Sequence, residues 1–225
     1  MHKSGIAACS AILVMTWMCL LPAPASAQSD SSGTGRSMFP LTVQAGAGAW
    51  GGYTLGYLQE VIYYSIPFDG FSGGADIDCR AVILDLFGIQ LGARGQLGFN
   101  YSSNENVSGL ELDLAADAVM GFDYVPWLKP YIFGGIMVNS FGASYGAEWA
   151  SMTGLGLRYG GAVLFDIFEF KVSESMRAVV SAGAELSAAH IFLMDPEYFF
   201  DVDLIYHTKQ LRIPVRISLF IVEGR

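Results

Sequence analysis

From Leu41 to Tyr57 the chain alternates without a break. Leu41, Val43, Ala45, Ala47, Ala49, Tyr53, Leu55 and Tyr57 occupy odd positions, while Thr42, Gln44, Gly46, Gly48, Trp50, Gly52, Thr54 and Gly56 occupy even ones. Neighbouring side chains on an extended strand point to opposite faces, so a period of two held this long predicts one strand with an apolar face and a small or polar face. The pattern returns in 89–101, where Leu91, Ala93, Leu97 and Phe99 alternate with Gln90, Arg94, Gln96 and Asn100. It returns in 109–122, where leucines 110, 112 and 114 stand against Glu111, Asp113 and Asp117. Leu155, Leu157, Val163 and Phe165 repeat it against Arg158 and Asp166, and Leu211 to Ile221 against Arg212, Arg216 and Ser218. Three less regular strands are predicted at 75–84, 130–142 and 176–189. In the second of these Tyr131-Ile132-Phe133 is apolar on both faces, so the pattern leaves its phase open.

The fold class this predicts is all-β, an antiparallel up-and-down barrel of about eight strands, an even number that brings both ends to one side. Predicted connections near 85–88, 123–129 and 168–175 are shorter than those near 59–74, 102–108, 143–153 and 190–207. In membrane barrels short turns lie in the periplasm and long loops outside.

Which face meets which solvent decides between two architectures. A soluble lipocalin-like carrier also has eight strands, but turns its apolar face inward. Here the charged face also carries Gly46, Gly48, Gly52, Gly92, Gly98, Gly156 and Gly160, which suits a narrow interior, while the other face is continuously apolar. Hydrophobic residues make up 52% and mean hydropathy is +0.41. After Ala27, however, no apolar run approaches the ~20 residues of a spanning helix. The apolar content is therefore spread through strands facing lipid. Aromatics near predicted strand ends extend the reading. Phe39, Phe87, Phe122, Tyr124, Trp127 and Tyr131 are expected to ring the periplasmic edge, and Tyr57, Tyr101, Phe141, Tyr145 and Trp149 the outer edge.

The first residues predict export. Lys3, the apolar stretch Ile6–Leu21 and Ala25-Ser26-Ala27 follow the order of a cleavable secretory signal. The expected organisation is a signal peptide over 1–27, a Ser/Gly-rich leader over 28–37 and a barrel over 38–225. Cys9 precedes the apolar run and Cys19 follows bulky Met18, so lipidation is not expected, and Cys79 alone remains, too few for a disulfide. The net charge of −9 disfavours nucleic acid as a partner.

The segment Val125-Pro126-Trp127-Leu128-Lys129-Pro130-Tyr131-Ile132-Phe133-Gly134-Gly135 resembles the start of the fifth strand in OmpW-like and OmpA-like small outer-membrane barrels. That resemblance implies a bacterial cell outer membrane, with lipid and the assembly machinery as partners. Those barrels usually end in an aromatic that aids insertion; this chain ends Ile221-Val222-Glu223-Gly224-Arg225, with Phe220 in the opposite phase.

The polar faces gather Arg80, Arg94, Arg158, Arg177, Arg212 and Arg216 with Asp76, Asp78, Glu111, Asp113, Asp117, Asp166 and Glu185. Buried charges persist when paired, so the lumen is expected to hold an ion-pair network. A register placing Arg94 opposite Asp117 and Gly98 opposite Asp113 satisfies both strands. The network either fills the interior or gates a narrow channel. Other signals are weaker. Gly46-x-Gly48-x-x-Gly51 lies within a strand and opens no helix, so no dinucleotide cofactor is expected. His190, Asp195, Glu197, Asp201, Asp203 and His207 gather in the longest predicted loop without metal-motif spacing. Glu185 and Ser187 share a face that His190 leaves, so no enzyme is expected. Resemblance to OmpW-like proteins implies a porin-like, narrow channel or transporter for small, including hydrophobic, solutes. The alternatives are a plugged anchor whose loops meet host or environmental ligands and the soluble carrier.

Overall fold

Eight strands follow one another in the chain, each pairs antiparallel with the next, and the last closes on the first. They are β1 (Thr42–Glu60), β2 (Ser65–Leu86), β3 (Ile89–Ser103), β4 (Val107–Phe122), β5 (Leu128–Tyr145), β6 (Glu148–Lys171), β7 (Met176–Met194) and β8 (Val202–Val222). The computed structural model describes residues 42–60, 65–103, 107–123, 125–145, 148–173, 176–194 and 202–222. The expected signal peptide and leader lie outside the described residues.

Following the register from Tyr57 through His207, His190, Leu157, Ile136, Ala116, Gly95 and Cys79 returns to β1 at Ala45, twelve residues from the start. Closure with such a stagger forces the strands to tilt strongly against the barrel axis. Greater tilt widens the ring, and the lumen here has room for large side chains. The faces divide as the alternation predicts. Leu112, Leu157, Leu211, Ile213 and Val215 are exposed, while their neighbours Asp113, Arg158, Arg212 and Arg216 are buried. A soluble barrel has this arrangement inverted; apolar residues outside and ions inside fit a hydrocarbon surround. Among the described residues no helix is long and apolar enough to cross a membrane.

Strand length corrects one expectation. The stretches 59–74, 143–153 and 190–207, read as long loops, are largely continuations of hairpin ladders, so His190 and His207 sit within β7 and β8. The strands run 15 to 24 residues, where crossing a membrane takes about 9–11. Above the hydrocarbon a strand no longer needs an apolar face, so the hydropathy signal fades while backbone pairing continues. Tyr53 marks this zone: its hydroxyl donates to Asp69 at 3.2 Å and its ring meets Phe71 edge-on at 5.7 Å.

At the opposite end the β2–β3 connection is a two-residue turn, Phe87-Gly88, with φ of 54° and 83°. Positive φ at both central residues is what a tight hairpin requires. Phe87 is 92% exposed there. Trp127 lies exposed at the same end, stacked on Phe165 at 6.0 Å, and Tyr101 lies exposed on β3 close to its hairpin end. The backbone of Tyr57 pairs with His207; its side chain is outside the described ones.

Tyr131 and Phe141 overturn the girdle assignment made for them. Both point inward and are buried, as is Phe133. The neighbouring strands supply the space: Ala115 and Val119 of β4 face the same interior, and a Cβ on Gly160 of β6 would stand 2.7 Å from the Phe133 ring. Large side chains on β5 thus fill the room that small ones on β4 and β6 leave open.

Candidate functional site in the lumen

The middle of the barrel is occupied by a layer to which every strand contributes. Asp117 on β4 stands opposite Arg94 on β3, and its Oδ2 accepts from Arg94 Nη2 at 2.9 Å and Nε at 3.1 Å. Asp117 also accepts from Arg158 of β6, with Nε donating at 2.9 Å, so one carboxylate serves two guanidiniums. Arg158 donates further to Gln96 at 2.6 Å, and Gln96 donates to Asp76 of β2 at 2.9 Å. Arg216 of β8 closes that side, 2.7 Å from Asp76 and 3.1 Å from Asp78. On the other side Arg212 lies 3.7 Å from Glu185 of β7, which accepts from the Tyr131 hydroxyl at 3.2 Å. Trp50 of β1 lies under Arg212, whose Cζ is 4.3 Å from the ring centroid. Arg94 Cζ stacks at 4.4 Å on Phe133.

These contacts are chemically coherent. Desolvated charges cost several kcal/mol each unless paired and hydrogen-bonded. Planar guanidiniums can meet a carboxylate with two donors and still lie flat on an aromatic face.

Above this layer, towards the hairpin ends, Glu111 and Asp113 are held by neutral donors. Asn139 donates to Asp113 at 2.6 Å, Asn100 donates to its other oxygen, and Tyr206 donates to Glu111 at 2.7 Å. Tyr206 and Phe141 pack at 5.1 Å between ring centroids. A void of about 20 Å³ remains there. Below the layer, at the turn end, a larger cavity of about 240 Å³ opens, lined by Arg80, Lys129, Tyr131, Arg177 and Phe220 among others. Arg80 lies over the Tyr131 ring at 5.4 Å.

Of the candidates read from the sequence, the structure therefore brings Arg94, Asp117, Arg158, Glu185, Arg212 and Arg216 into one mid-lumen layer. It sets Glu111 and Asp113 above that layer and Arg80 below. Pattern reading missed Tyr131, Phe133, Phe141 and Tyr206, the aromatics between and around the charges. An apolar residue on a polar face was visible in the sequence at Trp50, but nothing marked it as a platform for Arg212.

His190 and His207 face outward, their ring nitrogens in contact, with Tyr159 stacked on His190 at 5.9 Å. Glu185 faces inward on the same strand, so Glu185, Ser187 and His190 do not converge. Asp195, Glu197 and Asp201 lie outside the described residues, and among the described ones no three potential ligands are placed to hold a metal.

No protein-family model matches the chain, and no curated protein matches its sequence. Among solved structures it is similar to Neisserial surface protein A, with 17% identity over 79% of this chain and 96% of that one and a TM-score of 0.42. It is similar to Ail, the attachment invasion locus protein of Yersinia pestis, with 14% identity over 76% and 97% and a TM-score of 0.37. It is also similar to the outer membrane protein OprG from Pseudomonas aeruginosa, with 8% identity over 80% and 95% and a TM-score of 0.32. These likenesses are weak, and the assignment rests on the barrel's own faces. An apolar exterior around a charged, closed interior makes this chain an eight-stranded antiparallel β-barrel of the bacterial outer-membrane type. The OmpW-like relation within that type stays a resemblance, carried by residues 125–135.

Proposed function

We propose that the protein is a closed barrel that anchors an interaction surface outside the cell, and that it is not an open channel for small solutes. The carrying observation is the mid-lumen layer, in which Arg94, Gln96, Asp117, Arg158, Glu185 and Arg212 are each less than a tenth exposed and bound to one another across the barrel. A solute would have to break several buried ion pairs to pass. Strands well beyond spanning length support the same reading, because they lift the hairpins clear of the lipid. Phe71, 81% exposed on the outward face of β2, offers apolar contact surface near that end.

The test is single-channel recording of the folded protein in planar bilayers, with heat-dependent gel migration confirming folded barrels in the same preparation. The expected result is no stepwise current across moderate voltages. Reproducible unit conductance from folded wild type would overturn the closed reading and return the layer to the role of a gate.

A further inference from the structure

We propose that the turn-end cavity binds a small oxyanion, a phosphate or carboxylate group, through Arg80. The other lumen arginines, Arg94, Arg158, Arg212 and Arg216, each have a carboxylate within ion-pair distance, and Arg177, which also lines the cavity, pairs with Glu169 at 3.3 Å. Arg80 has none among the described residues, and its buried Nε has no hydrogen-bond partner there. It also stands in register opposite Arg94, whose guanidinium is committed to Asp117. Asp78, the acid nearest to it along β2, is held by Arg216 at 3.1 Å, so a half-buried cation beside a like charge, without an ion pair of its own, favours a counter-charge from outside.

The surroundings fit such a ligand. The cavity that Arg80 lines measures about 240 Å³ and is also lined by Ser218, whose Oγ accepts from Gln44 at 2.9 Å and keeps its own proton to donate, and by Lys129, which has two N–H donors beyond the one directed at Asp123. The Arg80 guanidinium lies over the Tyr131 ring, 5.4 Å from its centroid, and its planar fork suits an anion that offers two oxygens. The acids on the same wall have other partners: Asp123 pairs with Lys129, Asp166 accepts from Ser181 at 2.8 Å, and Asp85 accepts from Gln90 at 3.4 Å. They restrict the site to a small anion, because a larger multivalent one would meet their charge. Anion binding at Arg80 requires neither an open nor a closed lumen.

The experiment titrates the folded full-length protein in zwitterionic detergent with inorganic phosphate and, separately, acetate. Ionic strength is held constant with chloride, and readouts are calorimetric binding and the midpoint of heat-induced unfolding. Phosphate and acetate are expected to bind and to raise the midpoint, where chloride alone does not. Arg80→Gln should weaken binding about tenfold or more, the worth of a charge-assisted contact. Arg80→Lys, which keeps the charge and loses the fork, should fall between and guards against a folding defect in the first variant. Lys209→Gln, on the outer face, should leave binding unchanged. Absence of oxyanion-specific binding in wild type, equal binding by Arg80→Gln, or an equal loss in Lys209→Gln would each overturn the assignment.

Discussion

Asp117→Asn removes one negative charge and almost no volume, yet it strands two cations. In the folded barrel Asp117 is buried and bound by both Arg94 and Arg158. Breaking a buried pair by removing one partner typically costs ~3–5 kcal/mol, because the remaining charge stays desolvated. Asparagine keeps one oxygen acceptor, which serves one guanidinium, and Glu185 faces the layer through Tyr131, so the loss should fall within that range. Against total stabilities of about 5–15 kcal/mol the change is large. Exchanging charges, Arg94→Asp with Asp117→Arg, is expected to recover little, since Arg158 would then meet a guanidinium where its carboxylate was. Replacing all three by apolar residues of similar size should recover much more, because the desolvation penalty leaves with the charges. The assay is urea unfolding in one detergent, followed by tryptophan fluorescence and by gel migration without heating, with bilayer leakage measured on the same samples. A stability for Asp117→Asn within ~1 kcal/mol of wild type, as for a surface pair, would refute the buried triad. Full recovery by the two-residue exchange would show that Arg158 is not its third member.

Three further outcomes follow from the faces and the close approaches. Val215→Arg, in the middle of the outward set Leu211–Ile221, should cost ~2–4 kcal/mol in lipid and lower the yield of folded barrel in vesicles; normal assembly would mean that this face does not meet hydrocarbon. Gly135→Ala would bring a Cβ to 2.0 Å from the Ala116 carbonyl and 2.6 Å from Asp117 Cα, so it should separate β4 from β5 and lower the unfolding midpoint. Gly98→Ala, whose nearest contact is 3.8 Å, should fold like wild type, and the two side by side check the register. Phe87→Asn should stabilise the turn by about 1 kcal/mol in detergent, since a non-glycine residue at positive φ carries a penalty of roughly that size that asparagine largely avoids; a loss of detergent stability would show that Phe87 is held there by contacts within the barrel.

Alternation made most of this fold legible because a strand between lipid and lumen is forced to alternate. Arg94 opposite Asp117 could be read from β3 and β4 alone, since each strand shows its charges in one phase and the two phases admit few pairings. The same logic explains the failures. In Tyr131-Ile132-Phe133 both phases are apolar, so nothing in β5 itself says which face turns inward; the answer lies in the small residues of β4 and β6, and only the closed ring brings those together. Arg158 could be placed inside but not joined to Asp117, because β5 separates their strands and the link runs across the lumen. Strand ends escaped for a different reason, in that backbone pairing outlasts the hydrocarbon that imposes the pattern. Phe87 joins these limits to function. A bulky residue at positive φ works against local stability at a turn where asparagine or glycine would serve, and its ring is almost wholly exposed. With its ring turned away from the barrel's interior, Phe87 fits the expectation of an aromatic girdle at the headgroup level, and we propose that Phe87→Asn, though more stable in detergent, assembles less well in lipid vesicles; equal assembly would refute that role.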